Sequence, residues 1–223
     1  MSELKLVIFD MDGVLIDSEN FYMRSEQQVV RECGKEAELS YFRKYCGTTQ
    51  EYIWSHIKED FALSASVDEL KKRGKEALAS LFDREQVQLI SHVKELFFPL
   101  KEAGFKVAVA SSTGKELIIE HLTELGIYSY FDLVKSGEEV AQSKPHPDVF
   151  LAVAKELGIP PENCLVVEDS TNGIIAAKRA GMVCIGYNNL EYPPVNQESA
   201  DWVITDMSEL TPYFVKKVYQ LNR

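Results

Sequence analysis

Long apolar runs are missing from this chain of 223 residues. No stretch approaches the roughly 18 residues that a bilayer-spanning helix requires. Cysteine is scarce, and Cys33, Cys46, Cys164 and Cys184 form no C-x-x-C pair. Cys164 and Cys184 lie in apolar runs, so they read as buried free thiols rather than disulfide partners or metal ligands. Positive charge is in deficit, with 24 Lys and Arg against 35 Asp and Glu and a formal net charge of −11. No basic run offsets it, which argues against a nucleic-acid partner while leaving room for a small anionic substrate held by a local cation. Neither a GxGxxG fingerprint nor a P-loop occurs, so nothing points to a bound nucleotide. The chain opens on a strand-like run, not on a basic region followed by an apolar signal segment. Together these absences predict a soluble, cytoplasmic protein with no membrane partner. A monomer or weak oligomer is the expected state, though no feature of the sequence sets it.

What is present is a globular composition, 45% hydrophobic and 26% charged, arranged as alternating strands and helices. The first apolar run, Leu4 to Phe9, reads as a buried strand and stops at Asp10-Met11-Asp12-Gly13. Further strands are expected over 106–110, 131–135, 164–167, 182–185 and 202–204. Helices are expected over 93–103, 115–125, from Pro147 to just before Gly158, 173–180 and 212–221. Thr113 and Glu116 stand at capping-box spacing before the second of these helices. Strands alternating with helices mean a parallel sheet covered on both faces.

The segment from about Ser18 to Gln88 breaks the rhythm. It is rich in helix formers and holds no convincing strand. Phe21, Ser25, Val29 and Cys33 share a helical face that stops at Gly34, and capping boxes begin at Thr48 and Ser66. Three or four helices fit. The expected organisation is an α/β core over 1–17 and 91–223, interrupted by a helical insert over 18–90.

Four strand ends carry chemistry-bearing residues. Asp10 and Asp12 close the first strand, where ligands of open α/β sheets bind. Two acids at a buried strand end are costly unless ions or hydrogen bonds satisfy them. Ser111-Ser112-Thr113-Gly114 ends another strand; its hydroxyls and free N–H groups suit a phosphate, and they equally suit an ordinary helix cap. Ser143-Lys144-Pro145-His146-Pro147 presents a lone lysine that on its own reads as a solvated charge, with His146 a loop residue. Glu168-Asp169-Ser170 ends a further strand and also fits a helix cap. Taken together they supply what phosphoryl transfer needs: a carboxylate nucleophile, a proton donor, and cationic and hydroxyl groups for the phosphoryl oxygens. Asp10, Asp12 and Asp169 crowded together imply a hard divalent cation, for which Mg²⁺ suits oxygen ligands combined with substrate phosphate.

With these four motifs in this order, the chain resembles the haloacid dehalogenase superfamily, in its helical-cap branch of β-phosphoglucomutase-like proteins and sugar phosphatases. The resemblance covers essentially the whole chain. It implies a Rossmann-like core with a cap inserted after the first strand. It further implies Asp10 as nucleophile and Asp12 as general acid/base, with Ser111, the Ser112 backbone and Lys144 holding the phosphoryl group. Asp169, the Asp10 carboxylate and the Asp12 main-chain carbonyl would bind Mg²⁺, Glu168 assisting. The name-giving dehalogenases lack an acid matching Asp12, so phosphoryl transfer is favoured. Two departures stand out. Relatives often carry Pro-Gly at the second hinge, where this chain has Ser91-His92. The mutase's cap histidine and arginine align with Tyr22 and Gln50, and its cap lysine has only a shifted match in Lys75. The expected activity is therefore Mg²⁺-dependent hydrolysis of a small phosphorylated metabolite such as a sugar phosphate. A β-phosphoglucomutase activity is the alternative, and a non-catalytic binding protein on the same fold the rival from another class. Tyr22, Thr48, Thr49, Gln50 and Lys75 are the expected specificity positions.

Overall fold

The computed structural model describes residues 3–45, 49–82 and 84–223. The chain divides into two compact units, one of Met1–Asp17, Gln88–Leu190 and Pro194–Arg223, the other of Ser18–Val87 and Glu191–Pro193.

The first unit is built on strand β1 (Leu6–Phe9), whose residues are all buried. A strand with no polar alternation must be covered on both faces, and such strands lie inside parallel sheets. β1 pairs in parallel with β4 (Lys106–Ser111) on one side and with β6 (Cys164–Glu168) on the other. β5 (Leu133–Ser136), β7 (Val183–Tyr187) and β8 (Trp202–Ile204) complete a six-stranded sheet in the order β5-β4-β1-β6-β7-β8. On one face Leu6, Ile8, Ala108 and Val166 pack with Val149, Phe150 and Val153 of α7 (Asp148–Glu156) and with Ile174 and Ala177 of α8 (Thr171–Arg179). Phe9 meets Phe97 of α5 (Val93–Glu102) edge-on, with ring centroids 5.8 Å apart. Burying a side chain of this size stabilises by about 2 kcal/mol, so every residue of β1 contributes. Helices α6 (Lys115–Glu124) and α9 (Pro212–Leu221) belong to the same unit.

Two short strands that periodicity does not reveal, β2 (Ile16–Asp17) and β3 (Gln88–Leu89), pair antiparallel. Because of this pairing, and because the Ile90 N–H donates to the Leu15 carbonyl at 3.0 Å, residues 88–90 fall in the sheet unit and not in the insert, where they were expected. At the expected Pro-Gly position His92 adopts φ +66°, and its Nδ1 lies 2.9 Å from Asp206 Oδ1.

The second unit consists of α1 (Glu19–Glu32), the short α2 (Leu39–Phe42), α3 (Gln50–Asp60) and α4 (Val67–Phe82). Its own core joins Val29, Val30, Phe42, Ile53, Trp54, Ile57 and Leu70, with Tyr192 packed against it. The Ser66 hydroxyl accepts from the Glu69 N–H at the start of α4, as its capping box predicts. Helix α3 is capped by Thr49, whose Oγ1 accepts from the Tyr52 N–H, one residue later than the box expected to begin at Thr48. Thr48 and Cys46 lie outside the described residues. Glu26 stands out here: it is only 3% exposed, the one carboxyl among the residues that α1 buries, beside Phe21, Met23, Ser25, Val29 and Val30.

Candidate active site

The parallel register brings the carboxyl ends of β1, β4 and β6 side by side, so residues far apart in the chain converge. Immediately after β1 the backbone folds into a tight turn, in which the Met11 carbonyl accepts from the N–H groups of Val14, Leu15 and Ile16. Gly13 sits in this turn at φ +75°, and a Cβ there would stand 2.1 Å from Asp169 Oδ2. Only glycine meets both conditions, the left-handed backbone and the space for the carboxylate.

Lys144 is the hub. Its Nζ donates to Asp10 Oδ1 at 2.5 Å, to Glu168 Oε1 at 2.7 Å and to the Ala110 carbonyl at 3.1 Å, which uses all three ammonium protons. The three charged side chains are 7%, 8% and 1% exposed for Lys144, Asp10 and Glu168. The expectation of a solvated lysine, natural for Lys144 taken by itself, is therefore replaced by a buried charge network. Burial pulls the Lys144 ammonium down, but the facing charges of Asp10 and Glu168 outweigh this and hold it above its ordinary range. The Asp10 carboxyl is pushed up to about 7, chiefly by burial; Lys144 pulls it down, while Glu168 and Asp12 push it further up.

Glu168 is anchored at its other oxygen, where Oε2 accepts from the Ser170 N–H and hydroxyl at 2.8 and 2.9 Å. Ser170 in turn caps α8, accepting from the Gly173 N–H. Gly173 is also needed for room, since a Cβ there would stand 1.6 Å from Glu168 Oε1. Oxygens of Asp10, Glu168 and Asp169 lie within 4.8 Å of one another. Lys144 brings one positive charge against these three carboxylates. The donors are all hard oxygens and the cluster keeps surplus negative charge, which fits a small divalent cation.

Asp12 has different partners. Its Oδ2 accepts from the Thr113 hydroxyl at 2.7 Å and from the Ser111 hydroxyl at 3.4 Å. Thus the structure brings together Asp10, Asp12, Ser111, Lys144, Glu168 and Asp169. Ser112 follows at the end of β4 with an exposed side chain. The insert positions lie in the helical unit. Tyr22 is half-buried on α1 and Lys75 exposed on α4. Gln50 opens α3, and its Oε1 accepts from the Trp54 indole N–H at 2.9 Å.

Two residues escaped the sequence reading. Thr113, expected to cap α6, does not: Gly114 occupies the cap position with no side-chain bond. Gln197, from the loop before β8, donates through Nε2 to the carbonyls of Asp169 at 2.7 Å and Tyr187 at 2.8 Å. It thereby pins the main chain of a candidate metal ligand. Its only signal is a polar residue in a proline-containing loop, which sequence patterns do not distinguish from solvent-facing surface.

A sheet of this topology carrying an Asp-x-Asp turn, a hydroxyl turn and a lysine–acid pair at its carboxyl edge defines a hydrolase of the haloacid dehalogenase type. The model of the haloacid dehalogenase-like hydrolase family matches residues 7–187, and the chain belongs to that family. It is 32% identical over 220 residues to hexitol phosphatase B of Escherichia coli K12, covering 96% of each chain. It is 33% identical over 179 residues to a phosphorylated carbohydrates phosphatase of Thermotoga maritima, covering 80% of this chain and 82% of that one. The crystal structure of β-phosphoglucomutase from Clostridium difficile superposes with a TM-score of 0.77 at 24% identity, covering 98% of both chains, a likeness of fold. Among the described residues, no helix is long and apolar enough to cross a membrane.

Proposed function

We propose that this protein is a phosphatase that hydrolyses a small phosphorylated metabolite, a sugar or polyol phosphate, through an aspartyl-phosphate intermediate. One observation carries the reading: the two carboxylates at the end of β1 have separate partners. Asp10 faces the Lys144 ammonium, and Asp12 faces the hydroxyls of Thr113 and Ser111. One acid beside a cation and the other among hydroxyl donors is the division of labour that a nucleophile and a proton carrier require.

In this reading the Asp10 carboxylate attacks phosphorus, and Asp12 protonates the departing oxygen. Lys144, exchanging its bond to Asp10 for one to the phosphoryl group that Asp10 takes up, holds the phosphoryl oxygens together with the Ser111 hydroxyl and the Ser112 backbone. Asp12 then takes a proton from the water that releases phosphate from Asp10. Asp10, Asp169 and the Asp12 carbonyl, with Glu168 beside them, would hold Mg²⁺. The ion would supply positive charge against the phosphoryl oxygens. Glu168 also orients Lys144 and, through Ser170, the start of α8.

Substrate choice is assigned to the helical unit, with Tyr22, Thr49, Gln50 and Lys75 as candidate positions beside Thr48. Neither Tyr22 nor Gln50 is a cation at pH 7, so neither reproduces an arginine's grip on a second phosphate. The Gln50 carboxamide oxygen is moreover engaged by Trp54. Hydrolysis is therefore favoured over mutase chemistry. The two relatives named for carbohydrate and hexitol phosphates support the substrate class. The test is phosphate release from a panel of phosphorylated sugars and polyols with Mg²⁺, using wild type and Asp10→Asn. Turnover by wild type and a loss of at least about 10³-fold in the variant are expected. Retention of more than about a hundredth of the rate would exclude the covalent mechanism.

A further inference from the structure

Thr113 has the sequence signature of a helix cap and does not act as one. Its backbone is held on both sides: the N–H donates to Ser111 Oγ at 3.0 Å, and the carbonyl accepts from Ser136 Oγ at 2.7 Å. A hydroxyl has one proton to donate, and Thr113 gives it to Asp12 Oδ2 at 2.7 Å, across 101 positions of the chain. Ser111 reaches the same oxygen from 3.4 Å, a much weaker contact. Ser111 is also the hydroxyl assigned to the phosphoryl group, whereas Thr113 carries no other assignment. Among the described residues, no hydrogen bond engages Asp12 Oδ1.

We propose that Thr113 is a positioning residue for Asp12, fixing Oδ2 so that the transferred proton is carried on Oδ1. The proposal rests on the aspartyl-phosphate reading and adds a residue to it. As an Asp10 oxygen bonds phosphorus, the bond from phosphorus to the leaving oxygen breaks. The leaving oxygen keeps the electron pair and takes the proton from Asp12 Oδ1. In the second half, water bonds phosphorus and returns a proton to Oδ1, while the bond from phosphorus to Asp10 breaks and restores the carboxylate. A hydroxyl donated to Oδ2 is compatible with both protonation states, because that oxygen only accepts in each. Thr113 can therefore stay in place through the cycle.

The two ester classes separate positioning from general structure. An alkyl alkoxide is a poor leaving group and departs only when protonated, whereas p-nitrophenolate leaves unaided. The ratio kcat/KM reports the step in which the ester bond breaks. We expect Thr113→Val to lower kcat/KM for the best sugar or polyol phosphate at least about tenfold more than for p-nitrophenyl phosphate. Thr113→Ser, which keeps the hydroxyl, should restore the alkyl-ester value to within about threefold. Circular dichroism and thermal unfolding check that the variants fold, and Thr113→Ala takes the place of the valine variant if that one does not. Equal losses on both esters in a folded variant, or no loss at all, would overturn the proposal and leave the phosphatase reading intact. So would a folded serine variant as impaired as the valine one. A wild-type protein that releases phosphate from neither ester overturns both.

Discussion

Replacing Glu26 by Gln should stabilise the protein, and by an amount that depends on pH. Glu26 lies on α1 and is 3% exposed, within the unit whose core contains Val29, Trp54 and Leu70. Burial, with a smaller push from Glu19, raises its carboxyl from 4.5 to about 8. Between those two values the folded protein holds a proton that the unfolded chain has released, so stability falls as pH rises. At 1.36 kcal/mol per unit, a shift of this size corresponds to about 5 kcal/mol across the whole window and about 3 kcal/mol by pH 7. Glutamine keeps the shape and carries no charge at any pH. Glu26→Gln should therefore match wild type near pH 4.5 and exceed it by about 3 kcal/mol at pH 7. For a chain of this length that corresponds to a rise of roughly 6 to 12 °C in Tm. Thermal unfolding of both proteins at half-unit steps from pH 5 to pH 9 is the measurement. A stability difference that stays constant across that range, or a variant less stable at pH 7 than wild type, would refute the linkage.

Other predictions concern the chemistry. Activity should disappear with EDTA, return with Mg²⁺, and return poorly with Ca²⁺, which prefers more ligands at longer distances; full activity in metal-free buffer would remove the cation from the mechanism. With β-glucose 1-phosphate and β-glucose 1,6-bisphosphate as primer, phosphate release should exceed formation of glucose 6-phosphate in a coupled dehydrogenase assay. Isomerisation outrunning release by about tenfold would identify a mutase, since every intermediate captured by sugar is one that water has not taken.

Much of the sheet is legible in the sequence because each strand is a short apolar run closed by a turn. Each of the six expected strands overlaps an observed one, and the terminal helix matches at Pro212–Leu221. What escaped has physical reasons. Strands β2 and β3 span two residues each, too few to show a period. A threonine ahead of a helix looks the same whether its hydroxyl caps that helix or, like Thr113, reaches a carboxylate in the turn after β1. Lys144 reads as surface by type; its burial follows only once Asp10 and Glu168 are known to stand on either side of it. Gln197 is inconspicuous in the sequence because its two carbonyl partners come from the ends of different strands.

The central place of β1 in the sheet has a consequence for how the chain is made. β1 is synthesised before the other strands of its sheet, and its two neighbours begin only at Lys106 and Cys164. During translation this wholly apolar segment waits with one side unpaired until Cys164–Glu168 has emerged. Sequence separation also delays its charges, because Asp10 finds Lys144 only across 134 positions. An exposed apolar strand without its partners invites pairing with another chain. Protein truncated between residues 111 and 164 would carry β1 and β4 without β6, and should be recovered in aggregates rather than as a smaller folded domain.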